Sequence, residues 1–338
     1  MKALVYTAPR RIELRELPLP VIKSREVLIK IRAAGICGSD KDGFLGRSKK
    51  RIPPLVLGHE FSGEIADAGS EVSRFRVGQA VAVYPLITCG RCAYCNVGQT
   101  HLCVERKLFG LDINGALAEY VAVPEQCVFA TPSNVSFLAA ALVEPFAVAL
   151  HVVEQIPNLR TATGLVYGAG SLGVLICIAA KLLGARAVAV VDKNQHRLEV
   201  IKQLGADLIV NSDKDDPIEK ILEWTGRQGV EFSVDAAGHS ICRKEAIVLT
   251  RSGGIIVLVG LVDAATEFDA GTIIARELAI RGSYAYTRDN FAKSLSLIGE
   301  GKVPLELFVT RAQLDDGPRV FEESVGDHSL WTKVVFCT

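Results

Sequence analysis

Leu165-Val-Tyr-Gly168-Ala-Gly170-Ser-Leu-Gly173-Val-Leu-Ile-Cys-Ile-Ala-Ala180 joins a short apolar run to a Gly-x-Gly-x-x-Gly turn and then to a longer apolar run. The order reads as strand, tight turn and helix. Glycines at 168, 170 and 173 let the turn close and the backbone approach a pyrophosphate. The helix N-terminus beginning at Ser171 and Leu172 favours phosphate charge. Asp192 follows at the end of the next apolar strand, 19 residues after Gly173. A carboxylate there accepts hydrogen bonds from the adenosine ribose hydroxyls and repels a 2′-phosphate, which favours NAD over NADP. Lys193 softens that preference slightly, and with Arg197 it completes the candidate cofactor set. A glycine-rich turn in an unrelated α/β sheet is the alternative.

Outward from this turn the α/β alternation continues. Strands are expected at Leu165–Tyr167, Ala187–Val191, Leu208–Val210, Phe232–Asp235, Ile255–Val259 and Leu278–Gly282. Helices are expected at Leu172–Leu183, Gln195–Leu204, Pro217–Trp224 and Ile241–Thr250. Such units imply a parallel sheet with helices on both faces. The first 130 residues instead carry period-two alternation, as at Val27, Ile29 and Ile31, with glycine and proline punctuation, so this part is mainly β. From Ala139 to Val153 the chain reads as helix interrupted by Glu144-Pro145.

Composition fits that picture. The chain has 338 residues, 49% hydrophobic and 22% charged, which suggests about two domains and excludes a disordered chain. With 38 basic against 38 acidic residues it lacks the excess charge of a nucleic-acid surface. No apolar run is long enough to span a bilayer, and no secretory signal is apparent, so a cytoplasmic protein is expected without nucleic-acid or membrane partners.

Four of the nine cysteines, Cys89, Cys92, Cys95 and Cys103, form C-x2-C-x2-C-x7-C. Four thiolates on a short loop suit tetrahedral zinc and leave no open position, so this zinc would be structural. Cys37 in Gly35-Ile-Cys-Gly-Ser-Asp40, with His59 and Glu60, offers three further ligands of the kind that leave a coordination position free. A buried thiol and an ordinary His-Glu pair remain the alternative. Glu144, a carboxylate among apolar residues, needs a partner, for which a metal, a cap or a salt bridge would serve.

Gly-Ile-Cys37-Gly-Ser39-Asp, Leu-Gly58-His59-Glu60-Phe-Ser-Gly63-Glu, the cysteine lobe, Glu144-Pro145 and the GAGSLG turn follow one another as in the zinc-dependent medium-chain dehydrogenase/reductase family, and the resemblance covers essentially the whole chain. Within it the chain looks most like polyol dehydrogenases, including sorbitol and galactitol-1-phosphate dehydrogenases. The resemblance implies an α/β protein with a Rossmann dinucleotide-binding domain, residues 148–284, inserted into a β-rich GroES-like catalytic domain. The latter comprises 1–147 and 285–338, with the structural-zinc lobe at about 86–104. It implies two zinc ions per chain, one catalytic and one structural, and a homodimer or homotetramer assembled through the edge strand Leu278–Gly282. By position Cys37, His59 and Glu144 correspond to catalytic-zinc ligands. Glu60 would be a direct ligand or a carboxylate behind the shell, and Ser39 the hydroxyl that passes the alcohol proton on.

The expected activity is hydride transfer between NAD and a secondary alcohol or its ketone, the alcohol being a polyol or sugar-alcohol phosphate. Threonine- and butanediol-type dehydrogenases, a ketone reductase and an inactive zinc- and nucleotide-sensing relative are the rivals. Asp42 stands where many relatives place a relay histidine. Ala285-Tyr286 replaces the Arg-Tyr pair expected of sorbitol dehydrogenases. Phe44, Phe109 and Tyr286 are expected to border the substrate. Lys49-Lys50-Arg51 would receive a substrate phosphate or form a solvated charge run. His151, His196, His239 and His328, with Cys127, Cys177, Cys242 and Cys337, are expected to be bystanders.

Overall fold

The computed structural model describes residues 1–325 and 331–337, so His328 lies outside the described residues. The chain divides into two compact units, Phe146–Tyr286 and Met1–Pro145 joined with Thr287–Thr338.

The Phe146–Tyr286 unit holds six strands, numbered here along the chain: β1 Thr163–Tyr167, β2 Ala187–Asp192, β3 Leu208–Asn211, β4 Val230–Asp235, β5 Thr250–Leu258 and β6 Ala279–Gly282. They form one parallel sheet in the order β3-β2-β1-β4-β5-β6. Leu165 and Val166 point to opposite faces yet are both fully buried, as are Ala189 and Val190, so both faces of the sheet are covered. The helices are α1 Ser171–Leu182, α2 Gln195–Gln203, α3 Pro217–Trp224, α4 Ser240–Leu249 and α5 Ala270–Ala275. Their starts are written locally. The Asn194 side chain accepts from the Arg197 amide at 3.1 Å. Asp216 accepts from Ile218 at 2.9 Å, ahead of Pro217, whose missing N–H costs nothing in the first turn. Sequence periodicity places most of these elements to within two residues; it misses α5, a six-residue helix without a buried side chain.

The strand order reverses between β1 and β4, and the crevice outside their carboxyl ends is where such sheets bind ligands. The glycine turn lies there. Gly168 adopts φ +97°, and a Cβ at Gly173 would collide with the Gly168 carbonyl oxygen. Gly173→Ala therefore forces α1 off the turn at an expected cost of about 1–3 kcal/mol. Urea denaturation reads that cost, and an unchanged midpoint would mean that the turn opens freely.

The other unit is mainly β. Its largest sheet runs Val128–Ala130, Ala80–Val83, Glu60–Ala68, Glu26–Gly35, Lys333–Cys337 and Val309–Ala312, with Tyr120–Pro124 also paired to Glu26–Gly35. The C-terminal strand pairs antiparallel with the end of Glu26–Gly35, Val335 opposite Gly35, so the chain returns to complete its first unit. The apolar segment before residue 153 is two helices, Phe137–Ala141 and Val143–Val153, broken at Leu142. Pro145 lies in the first turn of the second helix, so Glu144-Pro145 opens a helix instead of interrupting one. No helix among the described residues is long and apolar enough to cross a membrane.

Candidate active site and cysteine lobe

The cysteine lobe is closed at its base by a two-stranded ribbon, Leu86–Ile87 against Lys107–Leu108. Gly90 and Gly98, at φ +71° and +78°, supply the left-handed turns that fold the loop back. The four sulfur atoms lie within 4.8 Å of one another. Cys95 Sγ stands 3.9 Å from Cys89 Sγ and 3.6 Å from Cys92 Sγ. A tetrahedron with zinc–sulfur bonds of about 2.3 Å has edges of about 3.8 Å, so the thiols are spaced for that ion. Backbone hydrogen bonding around Cys95 holds the Cys92 thiol down to about 6, and hydrogen bonding from Arg91 lowers Cys89. Desolvation and neighbouring sulfurs push Cys95 up to about 12. All nine cysteines are unlinked. His101 is buried nearby and is not among the four donors.

A second donor cluster joins Cys37, His59 and Glu60, whose ligand atoms also lie within 4.8 Å of one another. Cys37 precedes the helix Gly38–Phe44. Gly58, at φ +95°, turns the chain into Glu60–Ala68, and both His59 and Glu60 are buried. Two residues that carry this site have partners remote in sequence. Asp40 is fully buried and reaches three groups: its Oδ2 accepts from the Cys37 amide at 3.1 Å, while its Oδ1 accepts from Arg51 Nη2 at 3.3 Å and lies 3.6 Å from His59 Nδ1. Lys333, on the C-terminal strand, is buried in an ion pair with Glu60 and donates to the Ile36 carbonyl at 3.0 Å. Gly35 makes room for that pair, since a Cβ there would collide with the Glu60 carboxylate and stand 3.1 Å from Lys333 Cε.

The electrostatics follow from these neighbours. Burial alone would push Asp40 up, but His59 and Arg51 hold its carboxyl well below the usual range. Burial would push His59 down, but Asp40 and Cys37 raise it well above an ordinary histidine. His59 Nδ1 is buried with no hydrogen-bond partner, the Asp40 oxygen being too distant to accept well. A metal fits this donor set. Sulfur, imidazole and carboxylate converge, and the Asp40 charge lies 3.6 Å from the ring at Nδ1.

Other expected site residues fare differently. Glu144 is buried, but its carboxylate is not in the Cys37–His59–Glu60 cluster. Ser39 is half-buried, and its Oγ accepts from Arg51 Nη2 at 3.0 Å. Asp42 is raised by burial, opposed by Arg47 and Arg51. Arg51 corrects both readings of the basic run. It is buried, with Nε donating to the Gly110 carbonyl at 3.1 Å, so it is neither solvated nor free to receive a phosphate. Lys49 and Lys50 remain exposed. Phe44, Phe109 and Tyr286 are each 1% exposed, which corrects their expected place on a substrate wall. Phe44 packs on Phe321 and Phe109 on Phe61, both pairs inside the core of the β unit. His151, His196 and His239 join no donor cluster among the described residues. Burial pushes Cys127, Cys177 and Cys242 up to about 12 and raises Cys337.

In the sheet unit, Asp192 ends β2 and accepts from the Ala169 amide at 2.6 Å and the Asn194 amide at 2.7 Å. The carboxylate is thus pinned beside the glycine turn. Gly170 precedes α1, and Ser171, Leu172 and Gly173 form its first turn. Lys193 directly follows Asp192, and Arg197 lies in the first turn of α2.

Comparison with known proteins agrees with this architecture. The model of the alcohol dehydrogenase GroES-like domain matches residues 23–133, and that of the zinc-binding dehydrogenases matches 171–300. The chain is 37% identical to L-threonine 3-dehydrogenase of Symbiobacterium thermophilum, covering 80% of this chain and 78% of that one. It is 35% identical to sorbitol dehydrogenase of Bacillus subtilis, covering 92% and 89%. It is 33% identical to D-arabitol-phosphate dehydrogenase of Enterococcus avium, covering 88% and 85%. Among solved structures, a zinc-binding dehydrogenase of Sinorhizobium meliloti 1021 bound to NADP superposes with TM-score 0.93 at 28% identity over 100% of this chain and 99% of that one. An Escherichia coli CFT073 alcohol dehydrogenase complexed with NADH gives 0.93 at 30% identity over the same shares. This chain belongs to the zinc-dependent medium-chain dehydrogenase/reductase family, alongside the polyol dehydrogenases.

Proposed function

We propose that this protein is a zinc-dependent, NAD-linked dehydrogenase that interconverts a secondary alcohol, a polyol or sugar-alcohol phosphate, with its ketone. The convergence of Cys37, His59 and Glu60 carries the reading. These three would hold the catalytic ion, with Glu144 the alternative carboxylate, and Cys89, Cys92, Cys95 and Cys103 the structural one. A zinc ion at the first site supplies Lewis acidity that lowers the pKa of an alcohol hydroxyl. Asp40 orients His59, and Lys333 neutralises Glu60. Arg51 holds Ser39 by its oxygen, leaving the Ser39 hydroxyl hydrogen to be relayed outward as the alcohol proton arrives, to Asp42 or to water. NAD bound at the glycine turn would supply the hydride acceptor, so that an alcohol losing a hydride from carbon and a proton from its hydroxyl would yield ketone, NADH and one proton.

Asp192 supports NAD over NADP, because a 2′-phosphate would meet a carboxylate already fixed by two amides. Residues 1–147 and 285–338 form the catalytic domain on this reading, and 148–284 the cofactor domain. β6 ends the sheet with all four residues exposed, an open edge that suits pairing of two copies into a dimer or tetramer. Unlinked cysteines suit the cytoplasm.

The test is an NADH-formation screen over polyols, their phosphates, L-threonine and 2,3-butanediol, with zinc content measured in parallel. Turnover on a polyol or its phosphate, at least about tenfold faster with NAD than NADP, is expected. Preference for L-threonine moves the substrate class to amino alcohols. No turnover, with only one zinc per chain, leaves a sensor.

A further inference from the structure

Arg243, on α4, is buried, and its guanidinium is fully engaged in hydrogen bonds within the sheet unit. A guanidinium has five N–H donors. Here Nε donates to Asp235 Oδ2 at 2.9 Å, Nη1 to the Asp263 carbonyl at 2.9 Å and Thr266 Oγ1 at 3.0 Å, and Nη2 to the Gly238 and Gly260 carbonyls at 3.0 and 3.1 Å. Asp235 ends β4, Gly238 lies in the loop that follows it, and Gly260, Asp263 and Thr266 lie in the segment that follows β5. One side chain thus ties together the two loops at the carboxyl ends of neighbouring strands. The loops also touch directly: Asp263 N donates to the Gly238 carbonyl at 2.8 Å, and a Cβ at Gly238 would stand 2.6 Å from Val262 N.

These loops border the crevice where the strand order reverses. Ala236 N donates to the Tyr167 carbonyl at 3.0 Å, and a Cβ at Gly168 would stand 3.1 Å from Ala237 N, so the loop after β4 abuts the glycine turn. A dinucleotide crosses this crevice. Its adenosine half belongs with Asp192 at the end of β2, so its other half extends toward β4 and β5. Between Gly260 and Asp263, both bound by Arg243, stand Leu261 and Val262, 80% and 50% exposed, an apolar strip suited to the face of a nicotinamide ring.

We infer that Arg243 is a positioning residue for the nicotinamide half of the dinucleotide, acting through the Gly260–Thr266 loop. The inference rests on the cofactor reading above. Lysine at this position keeps a cation beside Asp235, but its single ammonium cannot span five acceptors. In the full-length protein, Arg243→Lys is expected to weaken NADH by about tenfold, the size of one lost loop-ordering contribution, and ADP-ribose by less than about twofold. Thr266→Val, which removes one acceptor on the loop and leaves Asp235 paired, is expected to weaken NADH selectively by about two- to threefold; it carries the test if Arg243→Lys does not fold. Isothermal titration with NADH and ADP-ribose, beside far-UV circular dichroism, reads both. Equal weakening of the two ligands, or none in either variant, overturns the positioning role while leaving the dehydrogenase reading intact. Wild-type protein that binds neither NADH nor ADP-ribose overturns both.

Discussion

Cys37→Ser is expected to reduce alcohol-dependent NADH formation by at least about a thousandfold, because Lewis-acid stabilisation of an alkoxide contributes several kcal/mol and each 1.36 kcal/mol is a decade. Serine is nearly isosteric with cysteine but does not ionise near neutral pH, so it removes the thiolate donor and little volume. The Asp40 carboxylate accepts from the Cys37 amide, a bond that serine keeps, and a serine hydroxyl can replace the sulfur that faces the Asp40 amide in the capping box, so the local fold remains. Zinc content is expected to fall from two ions per chain to one, since the four cysteines of the lobe are untouched. NADH affinity is expected to stay within about twofold, because the glycine turn and Asp192 belong to the other unit. Elemental analysis, fluorescence titration and steady-state rates together make the pattern specific. A variant that keeps both zinc ions and more than about a tenth of the activity would set aside Cys37 as a ligand.

The parts legible in the sequence are those whose physics is local. The glycine turn, its flanking strand and helix and the carboxylate of Asp192 fall within 28 residues, and the cysteine lobe within 15. Pro217–Trp224 announces itself by a capping aspartate, a first-turn proline and an amphipathic run. What escaped depends on partners brought together by the sheet. Lys333 meets Glu60 across 273 residues because the C-terminal strand pairs beside Gly35, and nothing near Lys333 in sequence marks it. Arg51 looks like the end of a solvated basic run until Asp40, Ser39 and the Gly110 carbonyl close around it. Asp40 left a readable signal, a carboxylate three residues beyond Cys37 at a helix start. Phe44 and Phe109 fit a cleft wall or a core equally well by composition, and only packing tells these apart.

Lys333→Met is the other large effect. Glu60 and Lys333 side chains are 2% and 1% exposed, so removing the ammonium leaves a carboxylate buried beside Cys37 and His59 without its cation. Breaking a buried pair from one side costs about 3–5 kcal/mol. That loss is expected in urea denaturation with a chelator present, where Glu60 has no metal to turn to. Replacing both partners, as Glu60→Gln with Lys333→Met, is expected to recover most of it, since no isolated charge remains. Saturating zinc separates the two roles open to Glu60. If its carboxylate joins the metal, the cation replaces the ammonium, and zinc stabilises Lys333→Met more than wild type. If Glu60 stays behind the shell, zinc raises both proteins equally and the gap persists. Equal midpoints for Lys333→Met and wild type in chelator would mean that the pair does not hold the fold. A gap that zinc narrows assigns Glu60 to the metal; a gap that zinc leaves unchanged leaves the third position to Glu144 or to water.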